Sequence, residues 1–429
     1  MTMKHTVTEH TLPAGTKGLL IDIPGSNVIN IKIYFRAGYQ FGDFTKFEAP
    51  HLIEHHVLNA TKAFPEKNRI MAEFSVNGAF NNAFTSPSYI GYVVECAEFE
   101  AERILELLTE VVARPLFPAK YYETERENVR TELTRYLSDY GRQASILGAE
   151  ASYPLLVMNY IKRLAQLDSI THEDVVGHYR ATHQALNANF IIAGATKANQ
   201  ELILRKLGTL FGELPTGQRR ELLDNIGLGL AEPIVSAEPI DSVYFNLNWF
   251  KAGVTHRERV AGNLLRSVLT GGFASRVFGK ARDQGLTYHI FSQQDTSPQA
   301  SAFGIGGFCN PAKWDELLKL IASEASDIAS HGPNDAELAA AKRRSIGSIT
   351  LGSQTAADVA SWYAGDYAFD GSMLSADDYF KDLEAVTTEE VRLVAGRFFG
   401  SNRHAATLVG QVSEAGSSAV DRRLKTIWQ

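Results

Sequence analysis

Two histidines and a glutamate within five residues are the side chains of this 429-residue sequence best suited to chemistry. They are His51, Glu54 and His55, in the order His-x-x-Glu-His. On an α-helix, residues four apart lie about 40° from each other and one turn apart, so both imidazoles can face one ion with the glutamate on the adjoining edge. Pro50 suits the first turn of such a helix, where its missing N–H costs nothing. The spacing indicates a metal site, although a surface helix rich in His and Glu would show the same pattern.

A hydrolytic zinc site needs a third protein ligand and an open position for water. Residues 119–139 lack glycine and proline and predict a helix with Glu125 and Glu132, seven residues apart, on one face. Two helical turns separate their backbones by roughly 10.5 Å, so one acid would bind the ion and the other would support it. Spacing alone does not choose between them, and a solvated charged face is the alternative. His56 points about 100° away from His55, so we expect it to pack or lie at the surface and not to bind the ion.

The composition excludes several classes of protein. Hydrophobic residues make up 45% and charged residues 21% of the chain, which is ordinary for a globular protein and excludes a disordered tail. The net charge is 42 − 49 = −7, and no run of Lys or Arg stands out, so we expect neither a nucleic-acid partner nor an anionic membrane surface. The first residues lack an apolar signal core, and no apolar run approaches a membrane span.

Cysteine is scarce in this chain. Cys96 and Cys309 are the only two, too few for a disulfide framework or a cysteine-based zinc finger. Any metal would therefore be held by histidine and carboxylate side chains. We expect a reducing, cytoplasmic setting.

The two halves of the chain have similar sequence patterns. The segment beginning at Ile31 resembles the one beginning at Leu247, and both predict strands that end in a glycine turn. Thr171 and Thr387 each precede an acidic residue by three positions and predict the start of a helix. The repeat interval is about half the chain, so two tandem copies of one domain are favoured over a solenoid.

The predicted class is α+β, with two tandem homologous domains. Each would be a mostly antiparallel sheet covered by helices on one face. The predicted boundaries are a zinc-binding domain at residues 1–214, a linker rich in Pro and Gly at residues 215–240, and a homologous metal-free domain at residues 241–429.

With these residues in place, the chain resembles the pitrilysin, insulin-degrading enzyme and mitochondrial processing peptidase family of inverted-motif zinc metallopeptidases. In that family a glutamate that completes the metal site follows the motif after about 76 residues, and here 76 residues separate His55 from Glu132. The family has another acid seven residues before that glutamate, and here Glu125 takes this position. The resemblance implies that His51, His55 and Glu132 bind one Zn²⁺ per chain, that Glu54 is the catalytic base and that Glu125 supports the ligands. The chain departs from the family's Gly-x-Ala before the first histidine, where it has residues 48–50.

The resemblance extends over nearly the whole chain and suggests where substrate binds. Asn82 and Ala83 lie in a segment similar to the family's edge strand, along which an extended peptide adds as a further strand. Arg282 and Tyr288 lie in a segment similar to the one whose Arg and Tyr contact the substrate backbone and the reacting carbonyl. An ordinary hairpin is the alternative for the first of these segments.

The second half lacks the metal ligands. Aligning it with the motif places Asn263, Arg266 and Ser267 opposite His51, Glu54 and His55, while the hydrophobic positions are kept. The second copy therefore cannot bind zinc there. An active first domain beside a metal-free second domain is the arrangement of the resembled family.

The resemblance implies a zinc-dependent endopeptidase that hydrolyses unstructured peptides with a metal-activated water. Large members of the family enclose a chamber with four such domains, so a two-domain chain implies a dimer: a homodimer with Tyr288 reaching the site of the second subunit, or a heterodimer with a metal-free homologue. Two other functions remain open. One is a non-catalytic structural or assembly homologue, and the other is a processing peptidase specific for one precursor or leader peptide.

Overall fold

A computed structural model describes residues 4–223, 233–251, 253–296, 301–401, 403–412 and 420. The chain forms two compact units. Unit 1 comprises Met1–Thr134, Ile161–Leu223 and Thr350–Ala376; unit 2 comprises Arg135–Tyr160, Asp224–Ile349 and Asp377–Gln429.

The described strands are β1 (Thr6–Thr11), β2 (Lys17–Asp22), β3 (Val28–Phe35), β4 (Phe80–Thr85), β5 (Ile90–Ala97), β6 (Ala188–Gly194), β7 (Ile234–Ser236), β8 (Val243–Lys251), β9 (His289–Thr296), β10 (Ser301–Cys309) and β11 (His404–Gly410). The described helices are α1 (Ala49–Val57), α2 (Arg69–Val76), α3 (Ala101–Ala113), α4 (Tyr122–Tyr136), α5 (Tyr140–Ser152), α6 (Tyr160–Leu167), α7 (His172–Thr182), α8 (Gln200–Gly212), α9 (His256–Thr270), α10 (Phe278–Asp283), α11 (Trp314–His331), α12 (Asp335–Leu351), α13 (Ala356–Asp370), α14 (Ala376–Ala385) and α15 (Thr388–Phe399).

Each unit is built on one mixed sheet. In unit 1 the strand order is β1-β2-β6-β3-β5-β4, and in unit 2 it is β7-β11-β8-β10-β9. The β2–β6 pair and the β7–β11 pair are parallel, and the other neighbouring pairs are antiparallel. The predicted α+β class with mostly antiparallel sheets is confirmed.

The sheet of unit 1 is covered on both faces, which is more than the one covered face expected from the sequence. Strand β6 is buried along its whole length, as apolar strands between two layers are. On one face, Ile191 packs in a cluster with Ala360 and Tyr363 of α13. On the other, Phe190 contacts Phe211 of α8. The first-half sequence could not reveal the second layer, because α13 comes from the other half of the chain.

The two units are not contiguous stretches of sequence. Residues 135–160, including α5, belong to unit 2, and residues 350–376, including α13, belong to unit 1. The domain ranges 1–214 and 241–429 stay a prediction of where the duplicated segments lie, since compactness does not test homology. Of the predicted linker, residues 224–232 lie outside the described residues.

The duplication is visible in matching local geometry. Gly194 and Gly410 end the strands β6 and β11 with φ of +127° and +129°, and a Cβ at either would lie 2.0 Å from a carbonyl oxygen of the neighbouring segment. Both positions therefore require glycine. Thr171 and Thr387 each form a reciprocal capping box, with Asp174 and Glu390, at the start of α7 and α15.

Cys96 and Cys309 are both buried and unpaired. Within the described part of the chain, no helix combines the length and the apolar character needed to cross a membrane.

Candidate metal centre

Helix α1 carries both motif histidines and starts as its sequence predicts. Pro50 lies in the first turn, and Leu52, Ile53 and Val57 are fully buried beneath the helix. This burial fixes α1 against β4 and α7. His51 and His55 lie one turn apart on the remaining face, with ring centroids 4.9 Å apart at 77° to each other.

The carboxylate of Glu132, on α4, lies close to both imidazole rings. Its Oε2 lies 3.6 Å from His51 Nε2 and 3.5 Å from His55 Nε2. One ligand atom from each of the three residues lies within 4.8 Å of the others, and within the described residues no other group of three potential ligands comes together. Two imidazoles and one carboxylate are a donor set of hydrolytic zinc sites, so these residues fit Zn²⁺.

The second acid of α4 supports the cluster from one side. Glu125 is buried, and its Oε2 faces Nδ1 of His55 at 3.7 Å, away from the Nε2 atoms that converge on Glu132. Lys67 Nζ lies 2.8 Å from its Oε1, and Asn128 donates to Oε2 at 2.9 Å. Burial opposes the charged form, but these partners outweigh it and lower the pKa of Glu125 to about 2.

The carboxylate of Glu54 is held next to the histidines by the edge strand. Thr85, the last residue of β4, donates its hydroxyl hydrogen to Glu54 Oε2 at 2.8 Å. Burial raises the pKa of Glu54, against the opposing effect of His51 and of this hydrogen bond. A half-buried carboxylate with a raised pKa holds a proton more readily than one in water, which suits a group that takes up and then releases a proton.

Behind His51 lies a buried ion pair that the motif analysis missed. Glu48 accepts a hydrogen bond from His51 Nδ1 at 2.8 Å and is paired with Arg163 of α6 through both of its oxygens. Burial opposes ionisation of Glu48, but Arg163 and His51 outweigh it and lower its pKa to about 2. Burial likewise disfavours protonated His51, yet Glu132 and Glu48 raise the pKa of His51 to about 9.

The available sequence signal for that pair was weak. Glu48 was visible as a departure from the family pattern, but nothing in the sequence connects it with Arg163, which is 115 residues away. Thr85 gave no signal at all.

His56 lies away from the cluster. It is buried, its ring packs edge-on against Phe117 at 5.6 Å, and Asn59 Nδ2 lies 3.2 Å from its Nδ1. Burial and the nearby His172 lower the pKa of His56 to about 4. Its role is packing, one of the two alternatives expected from the sequence.

Asn82 and Ala83 lie on β4, the edge strand of the sheet of unit 1. Ala83 is buried and Asn82 is exposed, as alternation along a strand requires. Strand β4 pairs with β5 on one side only, and in the described part of the chain no strand occupies its other side. An open edge of this kind can accept an extended peptide.

Arg282 and Tyr288 belong to unit 2. Arg282 lies at the end of α10, its guanidinium is 4.3 Å from the ring centroid of Tyr288, and its Nη1 donates to the Tyr288 carbonyl at 3.3 Å. Tyr288 is 74% exposed. The structure brings these two residues together, and their roles stay predictions.

The counterpart of the motif in unit 2 is held by a different set of contacts. Asn263, Arg266 and Ser267 lie on α9. Arg266 donates to Asn263 Oδ1 at 3.2 Å and to the carbonyl of Ser292 at 3.1 Å. The sequence alignment matches the guanidinium-bearing Arg266 with Glu54, and that correspondence stays a prediction.

Two models of one family match separate parts of the chain. The model described as Insulinase (Peptidase family M16) matches residues 24–148, which contain the whole histidine and glutamate cluster. The model described as Peptidase M16 inactive domain matches residues 169–345, which contain Arg282 and Tyr288. The chain belongs to peptidase family M16. The family expected from the sequence is confirmed, as a half-size member.

Two relatives are similar to this chain along most of their length, and a third is similar over a short segment. A Streptomyces coelicolor protein named an uncharacterized zinc protease is 22% identical over 423 residues, covering 96% of this chain and 91% of the relative. One from Mycobacterium tuberculosis with the same description is 22% identical, covering 93% and 92%. Protease 3 of Escherichia coli is 28% identical over 104 residues, only 11% of that protein.

Solved structures of two bacterial proteins share this fold. A crystal structure of a peptidase M16 inactive domain from Pseudomonas fluorescens superposes with a TM-score of 0.85 at 17% identity, covering 95% of this chain and 98% of that one. A protease from Helicobacter pylori superposes with a TM-score of 0.82 at 19% identity, covering 95% and 100%. At these identities the likeness shows the fold alone.

Proposed function

We propose that this M16 protein is a zinc-dependent endopeptidase that hydrolyses unstructured peptides. The observation that carries the proposal is the convergence of His51, His55 and Glu132 beside a half-buried acid, Glu54. These three residues would hold one zinc ion per chain. Bound zinc supplies Lewis acidity, lowering the pKa of a coordinated water to about 7 and polarising the scissile carbonyl.

Glu54 would be the proton carrier of the reaction. Its carboxylate takes the proton of the attacking water and passes it to the leaving nitrogen of the peptide. Thr85 holds Oε2 of Glu54 in one orientation. The raised pKa of Glu54 suits both halves of this transfer, because the group must accept the proton and then release it.

Strand addition along Asn82 and Ala83 would bind the substrate. The open edge of β4 offers backbone groups to an extended peptide and makes few demands on its side chains. Since Thr85 continues the same strand and holds the base, a bound peptide would run past Glu54. We therefore propose broad specificity for unfolded peptides.

Arg282 and Tyr288 would complete the reaction by stabilising the oxyanion of the tetrahedral intermediate. In our proposal two copies of the chain form a homodimeric chamber, and Tyr288 of one copy serves the metal site of the other. A heterodimer with a metal-free homologue and a peptidase specific for one precursor or leader peptide share this chemistry and differ in partner or substrate.

The experiment that tests the proposal combines metal analysis with one isosteric variant. The purified protein should contain about one zinc per chain, and His51→Ala should abolish it. Glu54→Gln should retain zinc and lose cleavage of an unstructured peptide. A non-catalytic homologue would show no metal-dependent cleavage in the wild type, and normal cleavage by Glu54→Gln would show that another group is the base.

A further inference from the structure

The N-terminal boundary of α1 has an unusual side-chain arrangement. Glu48 is the N-cap residue, yet its side chain makes no hydrogen bond to a backbone N–H of the helix. An N-cap Ser, Thr, Asp or Asn side chain ordinarily accepts from a first-turn N–H, a bond worth about 1 kcal/mol. Here the carboxylate is fully buried and turned to His51 and Arg163 instead. Helix α1 therefore starts without a side-chain cap, and the Glu48 carboxylate is held by other groups.

The contacts of Glu48 select one ring nitrogen of His51. Oε2 of Glu48 lies 2.8 Å from Nδ1 of His51, so the carboxylate accepts a hydrogen bond from the N–H group at Nδ1. In the neutral ring, the proton on Nδ1 leaves Nε2 as the atom with a lone pair, and Nε2 is the atom that lies 3.6 Å from Glu132. Glu48 therefore fixes both the tautomer and the ring orientation that a metal ligand needs.

Arg163 makes that orientation rigid. Its Nη2 donates to Glu48 Oε2 at 3.1 Å and to the hydroxyl of Tyr39 at 3.0 Å. Its guanidinium lies 5.2 Å from the ring of Tyr39 and 5.5 Å from that of Phe47, and these two rings stack at 4.3 Å. Arg163 is 7% exposed, so the pair is shielded from water, and its cation neutralises a carboxylate that could not otherwise stay ionised at this depth.

We infer that Glu48, anchored by Arg163, is a positioning residue that orients His51 for metal binding and tunes its affinity. This inference rests on the proposed zinc site. In this arrangement each histidine has a carboxylate at its Nδ1: Glu48 for His51 and Glu125 for His55. The competing explanation is that the ion pair only ties α1 to α6.

Zinc affinity separates the two explanations. Glu48→Gln should weaken zinc binding, measured by competition with a chelator, by roughly 10- to 100-fold, the usual effect of losing a group behind a metal ligand. The absorption spectrum of the Co²⁺-loaded variant should shift as well, because the spectrum reports ligand geometry. Glu110→Gln is the matched control: Glu110 is similarly buried in unit 1 and paired with an arginine, Arg114, outside the cluster, so its loss should leave zinc affinity unchanged.

A double variant guards against misfolding. Glu48→Gln alone removes the carboxylate charge that faces buried Arg163, whereas Glu48→Gln with Arg163→Met removes both charges at similar volume. The folded double variant should still bind zinc at least tenfold more weakly than the wild type. Wild-type zinc affinity in that folded protein would overturn the inference and leave the zinc site intact, whereas a wild type that binds no zinc would overturn the proposed function itself.

Discussion

The hydroxyl of Thr85 donates to Glu54 Oε2 at 2.8 Å, which joins the end of the edge strand β4 to the acid between the two histidines. The strand that would bind the substrate backbone thus also holds the group that would move the proton. A displacement of β4 would move Thr85 and change the orientation of Glu54, so substrate alignment and proton transfer depend on the same segment.

Removing this hydroxyl should impair catalysis and leave metal binding intact. A hydrogen bond to a charged group contributes about 1.5 to 3 kcal/mol, so Thr85→Val should lower kcat by roughly 10- to 100-fold. The bond favours the ionised form of Glu54, so its loss should raise the pKa of Glu54 further and move the acidic limb of the kcat/KM profile to higher pH. Thr109→Val is the control, since the Thr109 hydroxyl bonds only within α3. An unchanged pH profile would contradict this account.

The two acids of α4 should respond differently to the same substitution. Oε2 of Glu132 approaches Nε2 of both histidines, whereas Glu125 faces Nδ1 of His55. Glu132→Gln should therefore abolish stoichiometric zinc binding. Glu125→Gln should keep one zinc per chain with an affinity roughly 10- to 100-fold lower. Zinc titration of the two variants checks this, and equal losses would mean that the side chains share the ligand role.

Zinc binding should depend steeply on pH. The pKa of His51 is raised to about 9 and that of His55 is also raised, so near neutral pH the metal-free site holds protons that zinc must displace. Affinity is then full above the raised pKa and falls as the pH drops below it. We expect about a tenfold loss per pH unit below about pH 9 for the proton displaced from His51, and a steeper loss once the pH falls below the raised pKa of His55. Calorimetry in buffers of different ionisation enthalpy counts those protons, and a pH-independent affinity would contradict the expectation.

Features that depend on local spacing could be predicted from the sequence. The i, i+4 relation of His51 and His55 on α1 is a local property of a helix, and so are the threonine caps of α7 and α15. The Glu48–Arg163 and Thr85–Glu54 contacts join residues 115 and 31 positions apart, and no periodic pattern connects such pairs. The exchange of α5 and α13 between the halves left no sequence signal for the same reason.

The sequence alignment of β3 with β8 is shifted by two residues from the register in the structure. Ile29 lies opposite Gly194, and Val243 lies opposite Gly410, so Ile29 corresponds to Val243 and Ile31 to Phe245. The sequence comparison instead matched Ile31 with Leu247, two residues further along β8. A shift of two keeps every side chain on the same face of a strand, so hydrophobic alternation cannot detect it. Only the hydrogen-bonded partner strands fix the register.

Tyr288 should be needed for turnover and dispensable for folding. It is 74% exposed, so Tyr288→Phe removes a hydroxyl from the surface and should leave the melting temperature and zinc content unchanged. Loss of an oxyanion donor lowers kcat by roughly 10²- to 10³-fold, which is the effect we expect. Wild-type turnover by this variant would remove Tyr288 from the mechanism.

Mixing two inactive variants tests whether Tyr288 serves its own chain or a partner. In a mixed dimer of Glu54→Gln and Tyr288→Phe chains, the chain with an intact Glu54 sits beside a partner with an intact Tyr288. If the tyrosine acts across the dimer, one of the two sites is complete. Random pairing makes half of the dimers mixed, so co-expression should restore about a quarter of the wild-type activity. If native mass spectrometry shows mixed dimers that remain inactive, Tyr288 acts on the metal site of its own chain, because only then does each chain of the mixed dimer lack one essential group.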